Sequence, residues 1–185
     1  MRSRARKLGL GLALLLMSST AGWGQSARIP ATHGISLAGT SITLPDDLRG
    51  KVGVLVLGFS KSSGDVCKGW GKRLAESYRD SPEVAYYQMP VLESVPKLIR
   101  GMVVKSMKSG VPETEQAHFL PVFSDEATWR KIAHYGNTDD AHIVVVDSDG
   151  KVLWQTSGKV TDAGFADLKQ QIGVARSQLS SSEKK

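Results

Sequence analysis

The stretch Lys51–Leu74, KVGVLVLGFSKSSGDVCKGWGKRL, constrains the chain more than any other. Val52 to Phe59 is a short, β-branched apolar run that ends in a Ser60–Gly64 loop, which suits a buried central strand better than a helix of that length. The only cysteine, Cys67, follows the loop and opens a segment with helical spacing at Trp70, Leu74 and Tyr78. A thiol near a helix start meets free backbone N–H groups and the positive end of the helix dipole. The expectation is therefore an acidified, reactive Cys67, helped by the charge of Lys68.

The chain of 185 residues suits one domain preceded by a leader. Arg2, Arg4, Arg6 and Lys7 form a basic n-region and Leu8–Met17 an apolar core too short to span a bilayer comfortably. Cleavage is expected near Gly24, which gives a signal peptide over 1–24 and a periplasmic or secreted bacterial protein. The net charge of +6 owes four of its 24 basic residues to the leader, which leaves 20 against 18 acidic residues. A near-neutral mature chain argues against nucleic acid as a partner. One cysteine cannot form an intramolecular disulfide or perform dithiol exchange within the chain.

Residues 25–34 read as a polar extension. Ile35 to Leu44 reads as a hairpin around Ala38–Thr40, and Pro45–Gly50 as a turn into the central strand. After the Cys67 helix, Val84 to Leu92 resumes an extended pattern. Ser94 to Ser109 has Val95, Leu98, Met102 and Val103 apolar, with Lys97, Arg100, Lys105 and Lys108 basic. The first expectation there is a core-packing helix with a solvated basic side. The second is a docking surface of Lys97, Arg100, Met102, Lys105 and Met107, which would accept a partner's apolar peptide or rest on acidic lipid. Phe119–Phe123 is a short apolar segment. Ser124 is the expected cap of a helix over Glu126–Tyr135. His142–Asp147, the turn Ser148–Gly150 and Lys151–Thr156 form the clearest hairpin. A last helix runs from Asp162 to Arg176, so the domain spans 35–176, and 177–185 reads as a disordered tail. The resulting fold class is α/β, a mixed central sheet with helices on both faces and an N-terminal β-hairpin.

This order resembles the thioredoxin-like superfamily, through Gly50–Val52 before the strand, Cys67 and Lys68 after the loop, and Asp147–Lys151 in the late hairpin. Its redoxin branch, with peroxiredoxins and TlpA-like proteins, fits best, and Phe119–Gly136 is similar to the segment between that branch's second and third core strands. The second half is also similar to the ATP synthase assembly factor family called ATP ten, through the Val95–Ser109 helix, Val111–Glu113, His118 and Phe119, Asn137, Val144–Asp147, Gly150, Lys151, Trp154 and Gly158. That resemblance implies a chaperone for a membrane-embedded ATP synthase subunit.

Against a thioredoxin-type site, Gly64 stands where the attacking cysteine of a Cys-x-x-Cys motif would be, and Asp139–Ala141 lacks the proline of the facing loop. Dithiol activity is not expected. In the peroxiredoxin frame Cys67 takes the place of the peroxide-attacking thiolate, with Ser60 and Gly64 where that family has proline and threonine. The site loop to inspect is then Ser63, Gly64, Asp65 and Lys68, faced by Ala141 and His142. Cys67 is either that nucleophile or a small buried apolar residue. His33, His118, His134 and His142 show no metal-ligand spacing, and Cys67 with His142 would supply two of the usual four ligands. No metal and no cofactor are expected. Two functions remain: a binding or assembly factor for a protein of the cell envelope, in peripheral contact with a membrane or membrane protein, and a single-cysteine thiol peroxidase.

Overall fold

The structure, a computed structural model, describes residues 27–182. The leader expected over 1–24 lies outside them. Among the described residues no helix is long and apolar enough to cross a membrane.

The expected central strand is β3, Val52–Gly58, and all of its residues are buried. It lies inside a four-stranded sheet of order β4-β3-β5-β6, with β4 at Val84–Pro90, β5 at His142–Val146 and β6 at Val152–Ser157. β3 runs parallel to β4, as the intervening helix requires, and antiparallel to β5. Side chains alternate across β3. Val52, Val54 and Val56 point to one face with Trp70, Leu74, Phe165 and Leu168, whereas Leu55 and Leu57 point to the other with Trp129 and Ile132. Helix α1 (Gly64–Tyr78) and the closing helix α5 (Asp162–Ser182) cover the first face. The second is covered by the short helix α4 (Glu126–Ile132) and by the hairpin of β1 (Thr32–Ile35) and β2 (Ser41–Leu44). Each wholly buried Leu or Val contributes roughly 1.5–3 kcal/mol through apolar area removed from water, so this two-sided strand is the energetic centre of the domain.

Several boundaries differ from expectation. The N-terminal hairpin forms, but its first strand begins at Thr32, and Ile29 is buried with its N–H donated to Gly150 O at 2.9 Å. Part of the expected 25–34 extension is thus core. At the other end α5 continues to Ser182, past the expected stop at Arg176, so the first residues of the expected tail are helical. Phe119 and Val122 bridge to the outer edge of β4 in parallel and extend the sheet there. Helix α4 is capped at Asp125, in left-handed conformation, and not at Ser124; the Glu93 carboxylate accepts the Glu126 N–H at 2.7 Å instead.

The largest correction concerns α2, Lys97–Gly110. It is helical as expected, yet none of its residues is buried, and Leu98 is 99% exposed. It is not a core-packing helix. Pins at its ends hold it: Arg100 donates to Val95 O and Glu93 O at 2.9 Å each and lies over the Phe123 ring, and Gln116 Nε2, from the short helix α3 (Glu113–Gln116), donates to Val111 O at 3.0 Å. Pro96 and Pro112 bound the arm.

Candidate functional site

The loop Ser60–Ser63 is tied by its own hydroxyls. Ser63 Oγ donates to Ser60 O at 2.9 Å, and Ser60 Oγ accepts the Ser63 N–H and donates to Thr138 O. Ser62 Oγ reaches Asp139 Oδ1 at 2.5 Å, so the loop before β5 does meet the cysteine loop. Helix α1 begins at Gly64, upstream of the expected start, which places Cys67 one turn inside it. A Cβ at Gly64 would meet nothing within 4 Å. The position where a dithiol site has its first cysteine is therefore open space.

Cys67 itself points inward. It is 9% exposed and its Sγ faces Leu57 O at 3.7 Å. A thiol can donate to that carbonyl, whereas a thiolate would be repelled by it. Gly58 makes the approach feasible, since a Cβ there would lie 3.0 Å from the sulfur. Burial pushes the thiol up from 9.0 to about 11, and a hydrogen bond from Ser63 offsets only part of this. The expected acidification is thus reversed. Desolvation outweighs the helix terminus, and the exposed Lys68 is not among the groups that shift the thiol.

Ala141 is fully buried in the cluster that holds Cys67, as the facing-loop position should be. His142 is not beside the thiol. One residue on in β5, it turns to the opposite face, against Phe59 at 5.5 Å and Tyr135 at 5.6 Å, where Nε2 donates to Asn137 O at 3.2 Å and Nδ1 has no partner. Cys67 and His142 therefore share no site. Among the described residues no group of three His, Cys, Asp or Glu is placed to hold a metal.

A groove of about 1270 Å³ lies between α1 and α2. Gly71 and Ala75 line it from α1, Val56 and Met89 from the sheet, and Val103 and Met107 from α2. At 100° per residue the groove face of α2 carries Met102, Val103, Ser106 and Met107, while Lys97, Lys105 and Lys108 fall on its far side. The basic and apolar residues expected to form one surface are thus separated, and Arg100 serves as the pin described above. Asp65 and Lys68 stand on the groove's α1 rim.

Sequence reading missed the far end of the groove. There Arg79 Nη2 donates to Glu115 Oε1 at 2.5 Å, Tyr86 donates to Glu115 Oε2 at 3.0 Å, and His118 stacks on Tyr86 at 4.1 Å. Burial and the Glu115 charge raise the Tyr86 hydroxyl, which stays a donor. Gln88, on the groove floor, was also missed. Its alternation with Val84 and Tyr86 along β4 was the available signal, because a polar residue on the inward register of a strand is unusual.

The fold recurs in solved structures of other proteins. A thioredoxin-family thiol:disulfide interchange protein from Chlorobium tepidum matches with 14% identity and a TM-score of 0.52, over 82% of this chain and 97% of its own. A putative electron transfer protein from Aquifex aeolicus matches with 11% identity and a TM-score of 0.60, over 82% and 94%. BsSco, of the Sco family of cytochrome c oxidase assembly proteins, matches with 16% identity and a TM-score of 0.54, over 80% and 94%. At such identities these establish a thioredoxin-like fold alone. No curated protein matches the chain significantly. The family model described as "ATP10 protein" matches residues 20–173, which is most of the chain, and the protein belongs to that family.

Proposed function

We propose that this protein is a binding and assembly factor that shelters an apolar segment of an envelope protein in the α1–α2 groove. The observation that carries the reading is α2: a helix with an apolar side and no buried residue, held off the sheet by pins at its ends above an open apolar groove. Apolar surface left uncovered in this way marks an interaction site. Methionines 102 and 107 suit it, since their flexible thioethers adapt to irregular partners. Family membership agrees with an assembly role, and the leader read over 1–24 of the sequence with a periplasmic or secreted place for it; a membrane-embedded ATP synthase subunit is the client class that the ATP ten resemblance implies.

The thiol peroxidase alternative is the weaker one. A thiol raised to about 11 is roughly one part in ten thousand thiolate at neutral pH, and the thiolate is the nucleophile. The deciding experiment compares Met102→Glu/Met107→Glu with Cys67→Ala. Photo-crosslinking from the groove in the native envelope should be lost in the first and kept in the second. Equal crosslinking in all three proteins would refute the groove, and loss in Cys67→Ala alone, with sulfenic acid formed by peroxide in the parent, would restore the enzyme reading.

A further inference from the structure

The groove floor holds one polar side chain that the fold does not use. Gln88 is 7% exposed, lies in β4 opposite Val56, and lines the groove. Its backbone is fully engaged, the N–H with His118 O at 2.7 Å and the carbonyl with the Leu120 N–H at 2.8 Å. Its carboxamide has no hydrogen-bond partner among the described residues. The group is seated nonetheless. A Cβ at Gly71 would come within 2.3 Å of the carboxamide carbon and nitrogen, so glycine at this turn of α1 lets the amide lie flat against the helix backbone. The amide atoms of Gln88 are not sealed from water, so a purely apolar occupant of the groove would strip them of hydration at a cost on the order of 1–3 kcal/mol, which a ligand that pairs with them avoids.

We propose that Gln88 is the specificity-determining residue of the groove, and that the occupant is an apolar α-helix of a partner protein bearing one carboxamide side chain that pairs with it. This rests on the groove reading above and deepens it. A helix is favoured over an extended segment by backbone accounting. An extended chain brings an unpaired N–H and C=O at each residue, and walls of Val56, Ala75, Val103 and Met107 offer them nothing. The outer edge of β4 is already bridged by Phe119 and Val122, so no strand can add there. A helix satisfies its own backbone and leaves only a side chain to be read. A carboxamide supplies the donor and the acceptor that match those of Gln88. Charge points the same way at the rim. Lys61 and Lys68 line the loop end and belong to no ion pair among the described residues; with Asp65 between them they leave a net positive mouth. It attracts acidic side chains carried by the incoming helix.

The test uses the purified protein in mild detergent and two labelled Leu/Ala peptides of about 16 residues, long enough to hold a helix. Both begin with a Glu pair; one has a central Asn and the other Leu in its place. Fluorescence anisotropy should show the Asn peptide binding roughly tenfold more tightly, the value of one well-made buried hydrogen-bonded pair. Gln88→Met should bind both peptides at the Leu-peptide level. Gly71→Ala, which favours the helix but displaces the carboxamide from its seat, should lose the preference by an independent route. If the parent binds both peptides equally, or the Asn preference survives in both variants, the role of Gln88 is overturned while the groove stands. If neither peptide binds, groove and Gln88 fall together.

Discussion

Strand β3 and helix α2 are both rich in apolar residues, and the fold treats them in opposite ways. Every residue of β3 is buried, between α1 and α5 on one side and α4 with the β1–β2 hairpin on the other. No residue of α2 is buried, although Leu98, Ile99, Met102 and Val103 are as apolar as most of the strand. The difference lies in whether a second surface is supplied. β3 finds both of its surfaces within the chain; α2 faces a groove that the chain leaves open.

Removing a large core side chain beneath the strand should have the greatest effect on stability. Trp70 is 2% exposed, donates Nε1–H to Gly158 O at 2.9 Å and packs near Phe165, so Trp70→Ala should cost about 3–5 kcal/mol in urea unfolding. A loss below about 1 kcal/mol would mean that the strand side is no better packed than the arm.

Next comes the pH dependence of Cys67. Its folded value of about 11 lies above the 9.0 of the free thiol, so between these values the unfolded chain has lost its proton and the folded one has kept it. Stability is full below pH 9 and falls as pH rises toward 11, by roughly 2–3 kcal/mol in all. Denaturation across that window should show the slope in the parent and its loss in Cys67→Ala, and alkylation of the folded protein should accelerate only above pH 10. A thiol titrating near 8 would contradict its contact with the Leu57 carbonyl.

Tyr86→Phe removes a hydrogen bond to the Glu115 carboxylate at the end of the groove and should cost about 1.5 kcal/mol, read by thermal or urea unfolding. The smallest effect should come from Leu98→Ala. With 99% of that side chain exposed, stability should change by less than about 0.5 kcal/mol. A larger loss would show that α2 is covered in solution, by a second copy of the chain or by a movement of the arm.

Much of the fold was legible because it depends on local pattern. The Asp147–Gly150 turn between two apolar runs announced β5 and β6, and Trp70 and Leu74 marked the inward side of α1. His142 was misplaced for want of one step of the same logic. In a strand with Ala141 and Ile143 on the thiol's face, the residue between them must turn away. Ser124 failed as a cap because Glu93, distant in sequence, took the Glu126 N–H.

The sequence by itself determined that a buried strand, a serine-rich loop and a lone cysteine at the start of a helix would follow one another, and that no second thiol would join them. Those are matters of period, turn chemistry and count. Only the tertiary structure decided that the thiol faces a carbonyl and not water, that α2 stands uncovered, and that Gln88 lies unpaired on the groove floor. Acidity, exposure and hydrogen-bond satisfaction depend on which atoms arrive from distant parts of the chain, and residue pattern along one segment does not carry that information.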